Sequence, residues 1–111
     1  MMEAYQLNDL VSQQQASGRA YLEFLRVAAL SGGLYCLPKG GVDPQKPHTE
    51  DEIYVVMSGK AMIRVGEEDQ AVEAGSVIFV AATVEHRFHT ITEDLKVLVF
   101  FGPAEYTNAS E

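Results

Sequence analysis

The side chains best suited to chemistry in this 111-residue chain are three histidines and an excess of carboxylates. They concentrate in the stretch DPQKPHTEDEIYVVMSG, Asp43 to Gly59, where two prolines, His48 and a run of acids stand directly ahead of an apolar run. His48 and Glu52 are four apart, and in extended chain residues an even number apart project to the same face. Tyr54 and Val56 continue that face. Ile53, Val55 and Met57 make the opposite face, also apolar, so the strand is expected to be covered on both sides. A carboxylate there needs a cation, a partner or several donors, because an ionised Glu in apolar surroundings otherwise takes up a proton. His86 opens a second strand-like run, HRFHTI, in which His86, Phe88 and Thr90 share a face. If that face is the interior, His86 converges with His48 and Glu52. Two neutral imidazoles and one carboxylate suit a first-row divalent metal, and a facial set of three leaves positions open for water, substrate or dioxygen. The competing reading is three polar side chains satisfied separately at the surface or in the core.

The elements that must position these residues are mostly strands. LNDLVSQQQASG offers Asn8 as an N-cap and Gly18 as a stop, which predicts a short N-terminal helix. Beyond it YLEFLRVA, GGLYCLP, EIYVVMSG, KAMIRVG, QAVEAG, SVIFVA, HRFHTI and LKVLVFF are short β-branched and aromatic runs, each closed by Gly, Pro or a polar cluster. Such a series predicts an antiparallel sandwich or barrel. Two hairpins are expected: MSGK, joining Tyr54–Met57 to Ala61–Val65, and VGEEDQ, from Val65 to Gln70. The organisation is a helical arm over residues 1–18, a barrel over 19–104 and a frayed tail over 105–111.

Composition narrows the partners. At 47% hydrophobic the chain is long enough for one domain with a real core. A net charge of −8, with only eight scattered Lys and Arg, argues against nucleic acid or an anionic membrane surface. The longest apolar runs, such as VLVFF at Val97 to Phe101, are far shorter than the roughly 18 residues of a membrane span. The N-terminus has neither a basic region nor an apolar core of a secretory signal, so a cytoplasmic location is expected. The single cysteine, Cys36, fits a reducing compartment and reads as a small buried residue.

The ordered series resembles the cupin superfamily, specifically its small single-domain members. Their first motif runs glycine, a spacer, His-x-His, three or four residues, Glu, six residues and Gly. Gly41, His48, Glu52 and Gly59 fall on it. The second runs Gly, five residues, Pro-x-Gly, two residues, His, three residues and Asn. Gly75 and His86 match, while Ala81 stands for the proline, Thr83 for the glycine and Thr90 for the asparagine. The resemblance covers Leu34 to Pro103 and implies an all-β antiparallel jelly-roll barrel of about six to eight strands with its site inside. It assigns His48, Glu52 and His86 as metal ligands. Lys46 falls on the leading histidine, and an ammonium group is a poor ligand that repels a divalent cation. Gln45, one residue earlier and flanked by Pro44, is the expected replacement through its amide oxygen, with water as the alternative.

The expected function is a metal-dependent enzyme, dioxygenase-like, acting on a small organic substrate through Fe, Mn, Ni or Zn, with Glu52 also able to act as a base. The alternative is a non-catalytic ligand-binding or sensor cupin with a degraded site, and a fold alone does not decide between them. His89 reads as a surface histidine and Glu50 as solvated. Asp43, Asp51, Glu67, Glu68 and Asp69 read as turn and edge acids, and Tyr54, Phe79, Phe88 and Phe100 as core. Ile53–Met57 and Val97–Phe101 are apolar on both faces, more than one small barrel can absorb, which predicts a symmetric homodimer.

Overall fold

A computed structural model describes residues 2–109, so Met1, Ser110 and Glu111, at the outer ends of the expected arm and tail, lie outside the described residues. The chain forms α1 (Leu7–Ser17) and six strands, β1 (Tyr21–Val27), β2 (Leu30–Leu37), β3 (Asp51–Val65), β4 (Glu68–Glu73), β5 (Val77–Val80) and β6 (His86–Gly102). The sheet runs β1-β2-β6-β3-β4, and β5 also pairs with β3. Every pairing is antiparallel. The result is an antiparallel jelly roll with a short helix outside it, as the alternating runs predict.

Two long strands carry the roll. β3 and β6 pair from Asp51↔Gly102 to Val65↔His86, with register shifts around Ser58 and Lys60 where the ribbon bends. The MSGK segment is therefore a bend within one continuous strand and not the expected hairpin. A glycine at positive φ serves a tight turn and a bulge equally well, and here tertiary pairing decides. Gly59 sits at φ +98°, and a Cβ on it would lie 2.2 Å from the Asp94 carbonyl oxygen. HRFHTI and LKVLVFF likewise fuse into β6: the polar residues between them, Thr92–Asp94, are exposed, and β6 stays paired with β3 through shifts of register. The second expected hairpin is present: Gly66 and Glu67 join Val65 to Glu68, its cross-strand partner.

The helix starts earlier than Asn8. Gln6 is its N-cap residue, with no side-chain cap bond, and Asn8 lies inside the first turn. Gly18 ends the helix in the left-handed conformation, as expected. Among the described residues no helix is long and apolar enough to cross a membrane.

Burial along β3 alternates as predicted: Glu52, Tyr54 and Val56 are buried, and Ile53 is 41% exposed. The inward set joins Tyr35, Ile63, Phe88, Val97 and Phe101 in one core. Phe79, expected in the core, is 60% exposed, because its parity on β5 places it opposite Ile53 on the outer face.

Candidate metal centre

His48 lies in the segment between β2 and β3, and two buried carboxylates that the sequence reading left at the surface hold that segment in place. Asp43 is the first. Its Oδ1 accepts from the Tyr35 hydroxyl at 2.6 Å and the Gln45 amide nitrogen at 3.1 Å. Its Oδ2 accepts from the Gln45 side-chain amide at 2.9 Å and the Phe88 N–H at 2.9 Å. Four donors satisfy a carboxylate fully, so this acid is a buried splint between the segment and β6.

Glu50 is the second. It is 1% exposed, and its oxygens accept from the backbone N–H groups of Tyr106 at 2.6 Å and Asn108 at 2.8 Å, and from the Thr49 hydroxyl. Burial pushes its carboxyl up, but the bonds from Thr49, Asn108 and Tyr106 together with the neighbouring His48 outweigh it, so the carboxyl is held below its ordinary range. Over Glu105–Asn108 the expected frayed tail is thus a clasped turn. The clasp delivers Glu105, whose N–H donates to Ser31 Oγ at 2.9 Å and whose carbonyl accepts from Arg26 at 2.7 Å.

Glu52 comes from β3 and His86 from the first position of β6, and both side chains are 1% exposed. His86 Nε2 stands 3.0 Å and His48 Nδ1 3.7 Å from Glu52 Oε1. One ligand atom from each of the three residues lies within 4.8 Å of the others. His48 Nδ1, both Glu52 oxygens and His86 Nε2 are buried without a hydrogen-bond partner. Buried polar atoms left without partners cost about 1–3 kcal/mol each, and without an ion the one close pair here is His86 with Glu52, when the ring is protonated. A divalent cation at that focus would take one lone pair from each of the three residues, so the donor set fits a metal.

Each imidazole is oriented from behind. His86 Nδ1 is 2.9 Å from the Val84 carbonyl, so Nδ1 carries the proton and the Nε2 lone pair faces the focus. His48 is oriented in the reverse sense: its Nε2 is 3.0 Å from Glu105 Oε2, which keeps the proton there and turns the Nδ1 lone pair inward. The His48 carbonyl is itself held by the Thr83 N–H at 2.6 Å. Thr83 adopts φ +69°, a left-handed conformation that a β-branched residue enters at a cost. For the His86 imidazole, burial lowers the pKa, but the Glu52 carboxylate, the Val84 carbonyl and Asp43 more than offset it, and the pKa is raised from its ordinary value.

Gln45, the expected fourth ligand, has its amide held at both ends. Its nitrogen donates to Asp43, and its oxygen accepts from the Tyr54 hydroxyl at 3.0 Å. Lys46 is exposed and lines a cavity of about 430 Å³ beside His48. His89 lies toward the surface, as expected, 2.8 Å from Asp69. Sequence reasoning missed Glu105, Asp43 and Glu50 as parts of the site. Glu50 carried a signal, its shared parity with Glu52; Glu105 carried none, because only the folded clasp brings it to His48.

The family model described as a cupin domain matches residues 33–101. A Streptomyces coelicolor protein, described only as uncharacterised, is 51% identical over 94% of this chain and 99% of its own length. Among solved structures, TT1209 from Thermus thermophilus superposes with a TM-score of 0.71 at 24% identity, covering 93% of this chain and 99% of that one. Salicylate 1,2-dioxygenase from Pseudoaminobacter salicylatoxidans superposes with a TM-score of 0.74 at 13% identity, covering 88% of this chain and 32% of that one. At such identities the likeness concerns the fold.

Proposed function

The chain belongs to the cupin family, and on that premise we propose that it is a metal-dependent small cupin acting on a small organic substrate, in the manner of a dioxygenase. The observation that carries the reading is the convergence of one buried, unpartnered ligand atom from each of His48, Glu52 and His86 on one focus. Those three side chains would hold Fe, Mn, Ni or Zn. The bound ion supplies Lewis acidity and open positions for substrate and dioxygen. The protein's own part is orientation: Glu105 and the Val84 carbonyl keep both imidazole lone pairs turned inward, and Asp43 and Glu50 hold the segment that carries His48. Glu52 has a second oxygen with no partner, which can accept a proton from a bound substrate. Salicylate 1,2-dioxygenase shares the fold, so the fold is one that can host such chemistry.

One observation favours a second reading, a non-catalytic binding or sensor cupin. Glu52 and His86 are almost fully enclosed and only His48 reaches the 430 Å³ cavity, which suits a closed site that shapes a pocket without turning over its contents. Elemental analysis of protein purified without chelators tests what both readings share: near-stoichiometric metal in the wild type and none in His48→Ala/His86→Ala. Equal trace metal in both proteins overturns the metal reading. Dioxygen uptake over phenols, thiols and keto acids then separates the two, since turnover marks the enzyme and saturable binding without turnover the sensor.

A further inference from the structure

The cavity beside His48 has a chemical signature of its own. Its walls include the rings of Tyr21, Tyr35, His48, Phe101 and Tyr106, and the exposed Lys46 lies at its rim. The rings form two connected groups: His48 lies 4.7 Å from Phe101 and 6.0 Å from Tyr106 between centroids, and Tyr21 lies 6.2 Å from Tyr35. Such walls suit a flat apolar body. Tyr21 lies so close over Gly33 that a Cβ there would stand 2.2 Å from its ring, so the backbone of β2 fixes that wall.

One cationic side chain lines the cavity. His48 and His86 must be neutral to act as ligands. The two carboxylates nearest His48, Glu52 and Glu105, would together match the charge of a divalent ion. Asp43 and Glu50 lie close by as well, but four and three hydrogen-bond donors already hold their oxygens. Lys46 is the one Lys or Arg lining the cavity, and among the described residues it forms no ion pair. Without the ion the same groups leave an excess of negative charge.

We propose that this cavity binds a small planar monocarboxylate, with Lys46 pairing the carboxylate, the aromatic walls holding the body, and binding dependent on the metal. The inference rests on the metal reading above. It gives Lys46 a role at the position where the resemblance would place a histidine ligand: the residue binds the substrate's charge and not the ion.

Calorimetric titration of the zinc-loaded and the metal-free protein with benzoate and with its neutral isostere benzamide tests this, with bound zinc measured in each sample. The loaded wild type should prefer benzoate by about 10-fold, the scale of one charge-assisted hydrogen bond, and the metal-free protein should lose that preference. Lys46→Met should abolish the preference at unchanged zinc content, and Lys46→Arg should retain it. If zinc is stoichiometric and benzamide binds as well as benzoate, if benzoate does not bind, or if Lys46→Met keeps the preference, this inference is overturned while the metal reading stands. Failure of the wild type to hold zinc in a site sensitive to His48→Ala overturns both.

Discussion

At the scale of single residues, the imidazoles decide what the site can hold. His48 presents Nδ1 to the focus because its Nε2–H donates to Glu105 Oε2 at 3.0 Å. Removing a carboxylate behind a ligating histidine typically costs 10–100-fold in metal affinity, so Glu105→Ala is expected to weaken metal binding by about that factor. Glu105→Gln, which keeps an acceptor but loses the charge, should weaken it less. Competition titration with a chromophoric chelator reads both values, and affinity unchanged in Glu105→Ala would show that the tail carboxylate does not orient the ring. His86 sets the pH dependence. Its folded pKa is raised above the ordinary 6.5, so in the metal-free protein the protonated ring adds stability that is fully present below about pH 6.5 and is lost as the pH rises through the raised value. Metal affinity runs the other way, climbing over the same rise as the competing proton leaves. Thermal melts of metal-free protein across that range should decline with pH, and His86→Gln should flatten the decline. The parity of Glu52 with Tyr54 made the inward carboxylate legible in the sequence, and His86 followed from the same argument. The contacts that bring Glu105 to His48, Glu50 to Tyr106 and Asn108, and Asp43 to the Phe88 N–H join residues far apart in the chain and leave no periodicity to read.

At the scale of elements, the connecting segments determine the site more than the strands do. The strand alternation along β3 was legible because one face is buried, and period-2 burial leaves a period-2 pattern. The bend at Gly59 was not, since a left-handed glycine flanked by polar residues marks a hairpin and a bulge alike, and only the long partner strand β6 distinguishes them. Thr83 is a local cost of the site: its backbone is left-handed while its N–H holds the His48 carbonyl. Thr83→Gly should relieve that strain and stabilise the protein by on the order of 1 kcal/mol, measured by denaturant unfolding, with metal affinity retained. Destabilisation by the glycine would mean that contacts of the threonine side chain outweigh the backbone cost. The Glu50 clasp has the opposite sign. Glu50→Ala leaves the Tyr106 and Asn108 N–H groups without their acceptor and should cost about 1.5–3 kcal/mol. Because the Glu50 carboxyl is held below its ordinary 4.5, the clasp contributes stability above about that pH and loses it as the pH falls through the lowered value. The protection of the Tyr106 and Asn108 amides from hydrogen exchange, taken relative to the intrinsic rate at each pH, should therefore fall in acid, and in Glu50→Ala at every pH; full protection in the variant would place the holding force elsewhere.

At the scale of the whole molecule, the roll leaves one apolar face uncovered. Cross-strand pairing sets Phe79, Ile53 and Phe100 in one row and Val77, Val55 and Leu98 in the next. Val77 is 66%, Phe79 60% and Ile53 41% exposed. The sequence showed that β3 and β6 are apolar on both sides; the structure locates the surplus on this outer face. None of the six side chains is charged, so a second copy can lay the same rows against them without burying an unpaired ion. A face that is complementary to itself favours a two-fold arrangement, and we propose that a symmetric homodimer forms there. Light scattering behind size exclusion should give twice the chain mass for the wild type and the single-chain mass for Phe79→Glu. That substitution places its charge on an exposed side chain, so the variant is expected to remain folded. A monomeric wild type, or a dimer that survives Phe79→Glu, would move the contact elsewhere. Phe79 faces away from the interior in which Glu52 and His86 are buried, so the variant should retain its metal. Loss of both dimer and metal would mean that the outer face supports the inner site, and that assembly and metal binding are one property of the roll.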